Sequence, residues 1–366
     1  MATTHSLETI RSAFDAFFPG APVQRVAQNL GGHINQTYFV ETTRRAGGGC
    51  RLFVLQCVNK HVFPNALGLM ENVMRISEHL ERKSQADPAA DHRRDHLHYL
   101  RTADGRLGVD TDAGFWRLYR FIPHAEGRLQ AETPAEARAA AAAFGRFQAL
   151  LADMPPPRLV ETIPHFHDTR RRYEALERAF IENRAGRADE PEARELLDGF
   201  RAMRPLALSV QKSFERGEMP ERITHNDAKY SNVLVDPDDG HPVCVIDLDT
   251  CMPGLSLHDF GDLMRSMCAD APEDEPDVSK IVARPEMYEA LAEGFLSEAG
   301  SVLTPAERRL LPNGGAVMTL EVGVRFLTDY FEGDHYFRVA KPRHNLVRAR
   351  SQLALARSMA AVLPMG

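Results

Sequence analysis

The chain has no C-x-x-C pair, and its five cysteines, Cys50, Cys57, Cys244, Cys251 and Cys268, are scattered and odd in number. Such a set fits reduced thiols better than a disulfide framework or a zinc site of the usual spacing. Although 43% of the residues are hydrophobic, no apolar run approaches the length needed to cross a bilayer, so no membrane association is expected. The first residues lack a basic stretch followed by an apolar one, which makes secretion unexpected and a cytoplasmic location the expectation. Positive charge is not in excess either. A net charge of −7 argues against nucleic acid as a partner, because a nucleic-acid surface requires a basic face. The short runs Arg93-Arg94 and Arg170-Arg171-Arg172 read as solvated helix faces. No internal repeat is visible, and the single tryptophan, Trp116, lies in an apolar strand pattern and reads as core.

What is present has the scale of two lobes, because 366 residues exceed one ordinary hydrophobic core. Strand-like runs occur at Val23 to Val26, Thr37 to Glu41 and Leu52 to Val58, with Gly47-Gly48-Gly49 turning the chain between the last two. The spacing of Leu67, Met70, Val73, Met74 and Ile76 predicts a helix from about Pro64 to Leu80. Two more strands flank Ala103-Asp104-Gly105, and Phe115 to Phe121 closes a sheet of about five antiparallel strands. From Thr133 onward the pattern is mainly helical. The alanine tract 135–143 continues through Phe144, Phe147, Leu150 and Leu151 at helical spacing and reads as a packed helix. The expected division is therefore 1–122 and 123–366, with Ile122-Pro123 to Gly127 as the hinge.

The most specific segment is Ile223 to Asp236, which contains His225-Asn226-Asp227-Ala228-Lys229-Tyr230-Ser231-Asn232. An isolated H-x-D-x-x-x-x-N is a weak pattern, because Asp and Asn are also ordinary turn residues. Here it runs into Val233-Leu234-Val235, then a turn at Asp236 to Gly240, then an apolar run from Val243 to Ile246. That is a hairpin, and it is expected to return Asp247 to the neighbourhood of Asn232. In a phosphotransfer centre Asp227 would act on the acceptor hydroxyl, while Asn232 and Asp247 would supply hard oxygen ligands to Mg²⁺. In the first hairpin, Gly31 and Gly32 offer unobstructed backbone N–H groups of the kind that cover phosphates.

With Ile246-Asp247-Leu248-Asp249-Thr250-Cys251-Met252-Pro253-Gly254 and His258-Asp259-Phe260-Gly261-Asp262, this loop resembles the aminoglycoside phosphotransferase superfamily, and within it the anomeric sugar kinases of the N-acetylhexosamine 1-kinase type. The likeness extends over residues 31–38, 53–56, 161–168, 325–334 and 344–348. It implies an α+β, bilobal protein-kinase-like fold with a small antiparallel β-sheet N-lobe and a larger, mainly helical C-lobe. It also implies ATP and Mg²⁺ as cofactors, a role for Gly31, Gly32 and Gln56 in nucleotide binding, and sugar contacts from His33, Arg325 and Tyr336. Protein kinases carry a lysine where this chain has Gln56. Lys60 and Lys229 are the candidates to restore that charge, and Lys229, inside the catalytic loop, is the better one. Asp259 follows Asp227 at a longer interval than the D-F-G aspartate of protein kinases and is expected to cap a helix or brace the loop. His165 and His167 read as a surface or packing element, and His92, His96 and His98 remain unassigned. Ser266 stands where the sugar kinases tend to carry an aromatic residue, which leaves recognition of an N-acetyl group open.

The expected reaction is transfer of the ATP γ-phosphoryl group to the anomeric hydroxyl of a hexose or N-acetylhexosamine, with Asp227 and Lys229 as catalytic groups. The expected assembly is a monomer or a small homo-oligomer. Another small hydroxyl acceptor, such as an aminoglycoside or a homoserine-like molecule, is the alternative within the enzyme class. A pseudokinase binding module is the alternative outside it, kept open by Gln56 and opposed by Asp227, Asn232 and Asp247.

Overall fold

The computed structural model describes residues 5–29, 34–46, 50–269 and 271–366. The chain divides into two compact units. The first comprises Met1–Glu126, Asp153–Pro164 and Leu234–Met252; the second comprises Gly127–Ala152, His165–Val233 and Pro253–Gly366. The units are thus interleaved, where a single boundary after residue 122 was expected.

The first unit opens with a helix that the strand-dominated sequence reading omitted, α1 (Leu7–Asp15). Ser6 caps it by accepting the Thr9 N–H (3.1 Å), and Ile10, Ala13 and Phe14 line its buried stripe. Six antiparallel strands follow, one more than expected: β1 (Val23–Asn29), β2 (Gln36–Ala46), β3 (Cys50–Val58), β4 (Tyr99–Leu100), β5 (Val109–Thr111) and β6 (Gly114–Arg120). Their order is β1-β2-β3-β6-β4, with β5 also on β6. The 47–49 turn lies outside the described residues. Strand side chains alternate between faces, so Tyr38, Val40, Phe53, Leu55, Trp116 and Leu118 pack with α1 into one apolar cluster. The opposite face carries Thr37, Gln56 and Arg117 side by side, because the register pairs Thr37 with Gln56 and Gln56 with Arg117. The predicted helix is α2 (Ala66–Ala86) and runs further than its apolar spacing suggested. From it, Asn72 donates to the carbonyls of Val160 (2.7 Å) and Cys251 (3.2 Å). Those bonds help bring the 153–164 and 234–252 segments into this unit.

The remaining strands are short: β7 (Glu126–Gly127), β8 (Arg222–Thr224), β9 (Val233–Val235), β10 (Pro242–Val245) and β11 (Met252–Gly254). β9 and β10 pair across the turn that follows Asp236, as the sequence predicted.

The second unit is helical: α3 (Pro134–Leu151), α4 (Thr169–Glu182), α5 (Pro191–Ala207), α6 (Ser209–Glu215), α7 (Ser256–Met267), α8 (Pro285–Ala299), α9 (Pro305–Glu332) and α10 (His344–Val362). The alanine tract lies in α3, where Thr133 and Glu136 form a capping box and Ala137, Ala140, Ala141, Phe144 and Phe147 are buried. α9 runs through the centre of this unit, packs against α4, α5, α7 and α10, and is buried over most of its circumference. Glycine permits the closest helix contact. A Cβ on Gly294 of α8 would lie 2.0 Å from the Arg138 carbonyl oxygen of α3, and one on Gly145 of α3 would lie 2.7 Å from the Phe295 carbonyl oxygen.

These contacts are to backbone, so α3 and α8 would have to separate to admit a methyl group. Gly294→Ala is expected to destabilise the chain by about 1–3 kcal/mol, read as a lower denaturation midpoint in urea. An unchanged midpoint would show that the two helices do not pack this closely.

Candidate active site

In the helical unit, β8 leads into the loop 225–232, whose backbone turns sharply enough to place Asn226 at φ 62°. Backbone N–H groups exposed by such a turn need acceptors when buried. Asp259, in the first turn of α7, provides them: its carboxylate accepts from His225 N (2.9 Å), Asn226 N (2.7 Å) and Gln148 Nε2 of α3 (2.6 Å). The bracing role expected of Asp259 is therefore what the structure shows. The His225 ring packs edge-on against Phe144, with centroids 5.2 Å apart, and Thr224 Oγ1 donates to Asn226 Oδ1 (2.9 Å). Gly254 leaves space for these two side chains, since a Cβ there would lie 2.2 Å from Thr224 Oγ1.

So anchored, the loop brings three of the predicted residues together. Asp227 Oδ2 accepts from Lys229 Nζ (2.8 Å) and Asn232 Nδ2 (3.1 Å), and Asn232 Nδ2 also donates to the Asp227 carbonyl (2.8 Å). Asn232 is buried in a 3₁₀ turn, whereas the Asp227 side chain is 29% exposed. Burial pushes the Asp227 carboxyl up, but Lys229, His225 and the Asn232 amide outweigh it and hold the group below the usual carboxylate range. Asp227 is therefore an ionised acceptor at neutral pH. Because the Asn232 NH₂ is spent on Asp227, its carbonyl oxygen is the atom it can give to a cation.

One turn of helix links this loop to a second cluster. His167 Nε2 meets the Asn226 carbonyl (3.0 Å) and its Nδ1 meets Glu321 of α9 (2.7 Å). Arg325 stands four residues further along α9, on the same face. Its guanidinium lies 5.5 Å from the Phe166 ring centre, 5.6 Å from Tyr336 and 5.4 Å from Phe337, and Nη2 donates to Tyr336 Oη (3.3 Å). Asp329 shapes the turn that carries Tyr336 by accepting the N–H groups of His335, Tyr336 and Phe337. The pairing of Arg325 with Tyr336 joins two residues the sequence singled out. His167, read as a surface or packing element, is instead hydrogen-bonded at both nitrogens. Ser266 donates back to the Asp262 carbonyl of its own helix (2.8 Å).

In the sheet unit, Asp247 lies two residues beyond β10 at φ 63°, is exposed, and opens a 3₁₀ turn. The hairpin that separates it from Asn232 crosses from one unit to the other. Two residues on, Asp249 is 3% exposed and accepts from Asn35 Nδ2 (2.6 Å). It forms an ion pair with Arg117, which is 1% exposed. Arg117 in turn donates through Nε (2.9 Å) and Nη2 (2.8 Å) to Gln56 Oε1, and Gln56 Nε2 donates to Thr37 Oγ1 (2.9 Å). Of the lysines put forward to replace the charge missing at Gln56, Lys60 pairs with exposed Asp110 and Lys229 with Asp227. The cation beside Gln56 is Arg117, which the sequence reading passed over. The available signal was an arginine at the centre of the otherwise apolar run Phe115-Trp116-Arg117-Leu118-Tyr119. Gly31, Gly32 and His33 lie outside the described residues.

Asp259→Ala would leave two buried loop N–H groups and the Gln148 amide without their acceptor. A loss of about 3 kcal/mol or more is expected, measured by thermal melting. A change below about 1 kcal/mol would mean that the loop does not depend on this carboxylate.

The family model APH, described as "Phosphotransferase enzyme family", matches residues 25–310. Among solved structures, the chain is similar to a microcompartment-associated aminopropanol kinase (TM-score 0.61, 18% identity, covering 97% of this chain and 98% of that one). It is likewise similar to an aminoglycoside phosphotransferase from Alicyclobacillus acidocaldarius subsp. acidocaldarius DSM 446 (0.61, 12%, 99% and 97%) and to a choline kinase from Cryptosporidium parvum Iowa II (0.59, 13%, 97% and 95%). These identities speak to the fold alone, whereas the profile match spans most of the sequence, including the loop with Asp227 and Asn232. The chain belongs to the APH phosphotransferase enzyme family.

Proposed function

We propose that this protein is an ATP- and Mg²⁺-dependent kinase that phosphorylates the anomeric hydroxyl of a hexose or N-acetylhexosamine. The observation that carries the acceptor class is the cluster of Arg325 with Phe166, Tyr336 and Phe337, linked through Glu321 and His167 to the loop that holds Asp227. Aromatic rings and a guanidinium fork suit a neutral polyol, which stacks on the former and accepts from the latter. Among the described residues, a cationic acceptor would meet the positive charge of Arg325, and of Arg172 nearby, whereas the carboxylates beside them are already paired, Glu321 with His167, Asp262 with Arg265 and Asp168 with Arg171. Aminopropanol and choline, the acceptors in the names of two structural relatives, are such cations.

Asp227, ionised, orients the acceptor hydroxyl and takes its proton as the oxygen bonds to the γ-phosphorus. The bond from that phosphorus to the β,γ-bridging oxygen breaks, and ADP leaves. Lys229, already 2.8 Å from Asp227, is the group of this loop that can offset phosphoryl charge. Asn232 and Asp247 are the residues that would hold Mg²⁺, a hard cation suited to one amide oxygen and one carboxylate; bound there, the ion would neutralise charge on the nucleotide phosphates. Gln56, with Gly31 and Gly32, is assigned to the nucleotide and His33 to the sugar.

Asp227→Asn should lower kcat by at least about a hundredfold while leaving nucleotide affinity near that of wild type, measured by steady-state kinetics and calorimetry. More than about a tenth of wild-type kcat would remove Asp227 from the base role.

Arg325→Ala should raise KM for the sugar about ten- to hundredfold with little change in KM for ATP. The product settles the acceptor: phosphorus NMR should show phosphate coupled to the C1 proton, and a 1-O-methyl glycoside should be inert. Phosphate on another hydroxyl, or turnover of an aminoglycoside or a homoserine-like acceptor instead, would replace the sugar 1-kinase reading with another kinase of the family.

A further inference from the structure

His167 makes two contacts that a neutral imidazole cannot both satisfy beside an ionised glutamate. Its Nε2 lies 3.0 Å from the Asn226 carbonyl, which can only accept, so Nε2 must carry a proton. Its Nδ1 lies 2.7 Å from Oε1 of Glu321, whose other oxygen accepts from Thr169 Oγ1 (2.6 Å). If Glu321 is a carboxylate, Nδ1 must also carry a proton, since two lone pairs at that distance repel. Glu321 is fully buried, and the His167 side chain is 8% exposed. A carboxylate there without a cation would be strongly disfavoured.

We propose that His167 is held as an imidazolium between Glu321 and the Asn226 carbonyl, and that in this form it is a positioning residue for Asp227. The proposal rests on the reading of Asp227 as the base. Asn226 precedes Asp227 directly and has a left-handed backbone (φ 62°); Asp259 fixes its N–H and His167 its carbonyl. The peptide plane between Asn226 and Asp227 contains that carbonyl, so its orientation sets the direction in which Asp227 leaves the loop. Loss of the proton on Nε2 would release it.

The charges around the pair are accounted for on each packed element. From α7, the His258 ring lies beside that of His167, with centroids 5.0 Å apart and planes tilted at 53°; burial and then His167 push it down to about 3, so it is neutral. Asp262, also on α7, is paired with Arg265 (2.7 Å). From α4, Arg172 donates to the Phe166 carbonyl (2.6 Å), and from α9, Arg325 lies over Phe166. Burial alone would lower His167, but Glu321, the Asn226 carbonyl and Asp262 outweigh it and leave it raised. Burial would raise Glu321, but the charge and hydrogen bond of His167 and the hydrogen bond from Thr169 bring it down to about 2. With a raised histidine and a depressed glutamate, the pair is fully formed at intermediate pH. It is lost on the alkaline side as pH climbs through the His167 value, and on the acid side as pH falls towards about 2. The positioning effect therefore predicts a fall of kcat on the alkaline side.

Two measurements test this. In the intact protein, nitrogen NMR of the imidazoles, with the His167 signals assigned by their absence in His167→Gln, should show both ring nitrogens still protonated at a pH where a free histidine is neutral. A neutral His167 at pH 7 overturns the proposal, and this result does not depend on which molecule is phosphorylated. In kinetics, His167→Gln keeps a donor for the Asn226 carbonyl but cannot titrate. It should lose the alkaline fall in kcat while nucleotide affinity stays near wild type, and its melting temperature should fall because Glu321 is left buried without its cation. His167→Ala should lower kcat about ten- to hundredfold, and Glu321→Gln should move the alkaline limb down by about one pH unit or more. If His167→Gln retains the wild-type alkaline limb, the positioning role is wrong, even where Asp227→Asn is inactive. If Asp227→Asn is active, the reading of the base fails instead, whatever His167 does.

Discussion

The loop 225–232 of the helical unit depends on one carboxylate. A chain that turns through a left-handed residue inside a packed protein exposes backbone donors that water cannot reach, and burying them unpaired costs about 1–3 kcal/mol each. Asp259 takes the donors of His225 and Asn226 together and ties them to Gln148 of α3. With that carboxylate in place, the loop has a defined exit direction, and the short bonds among Asp227, Lys229 and Asn232 follow from local geometry.

Both units use a buried ion pair next to a proposed functional group. In the sheet unit, Arg117 joins Asp249, two residues beyond Asp247, to Gln56 on the neighbouring strand. In the helical unit, His167 joins Glu321 to the residue before Asp227. Buried pairs contribute little net stability, because desolvation offsets most of the attraction, but removing one partner strands the other at a loss of about 3–5 kcal/mol. Their effect is to hold geometry. Each ties an element distant in sequence to the short segment bearing a carboxylate. The arginine beside Gln56 also keeps a positive charge on that face of the sheet, where protein kinases use lysine; a guanidinium donates to two acceptors in one plane, and here it spans Gln56 and Asp249.

Much of this was legible in the order of residues. The loop from His225 to Asn232, the β9/β10 hairpin, the packed alanine helix and the bracing role of Asp259 all followed from spacing and turn chemistry. These are local features, set within a few residues by periodicity and backbone preference. α1 is a short helix ahead of a run of strands, and its buried residues Ile10 and Phe14 lie at helical spacing. Arg117 and His167 were not legible in this way. A charged residue in an apolar strand or near a helix start looks like a solvated one until its partner is known, and Glu321 lies 154 residues from His167.

The sequence by itself determined the chemistry available: an aspartate, a lysine and an asparagine at intervals that a single loop can gather, and a second carboxylate beyond a hairpin. Tertiary structure alone decided which charges are neutralised and by what. Strand register set Gln56 beside Arg117, and the packing of α9 against α4 and α7 brought Glu321 to His167. The reason is that a buried charge is defined by its partner, and partnership across a fold is set by packing, which no local pattern encodes.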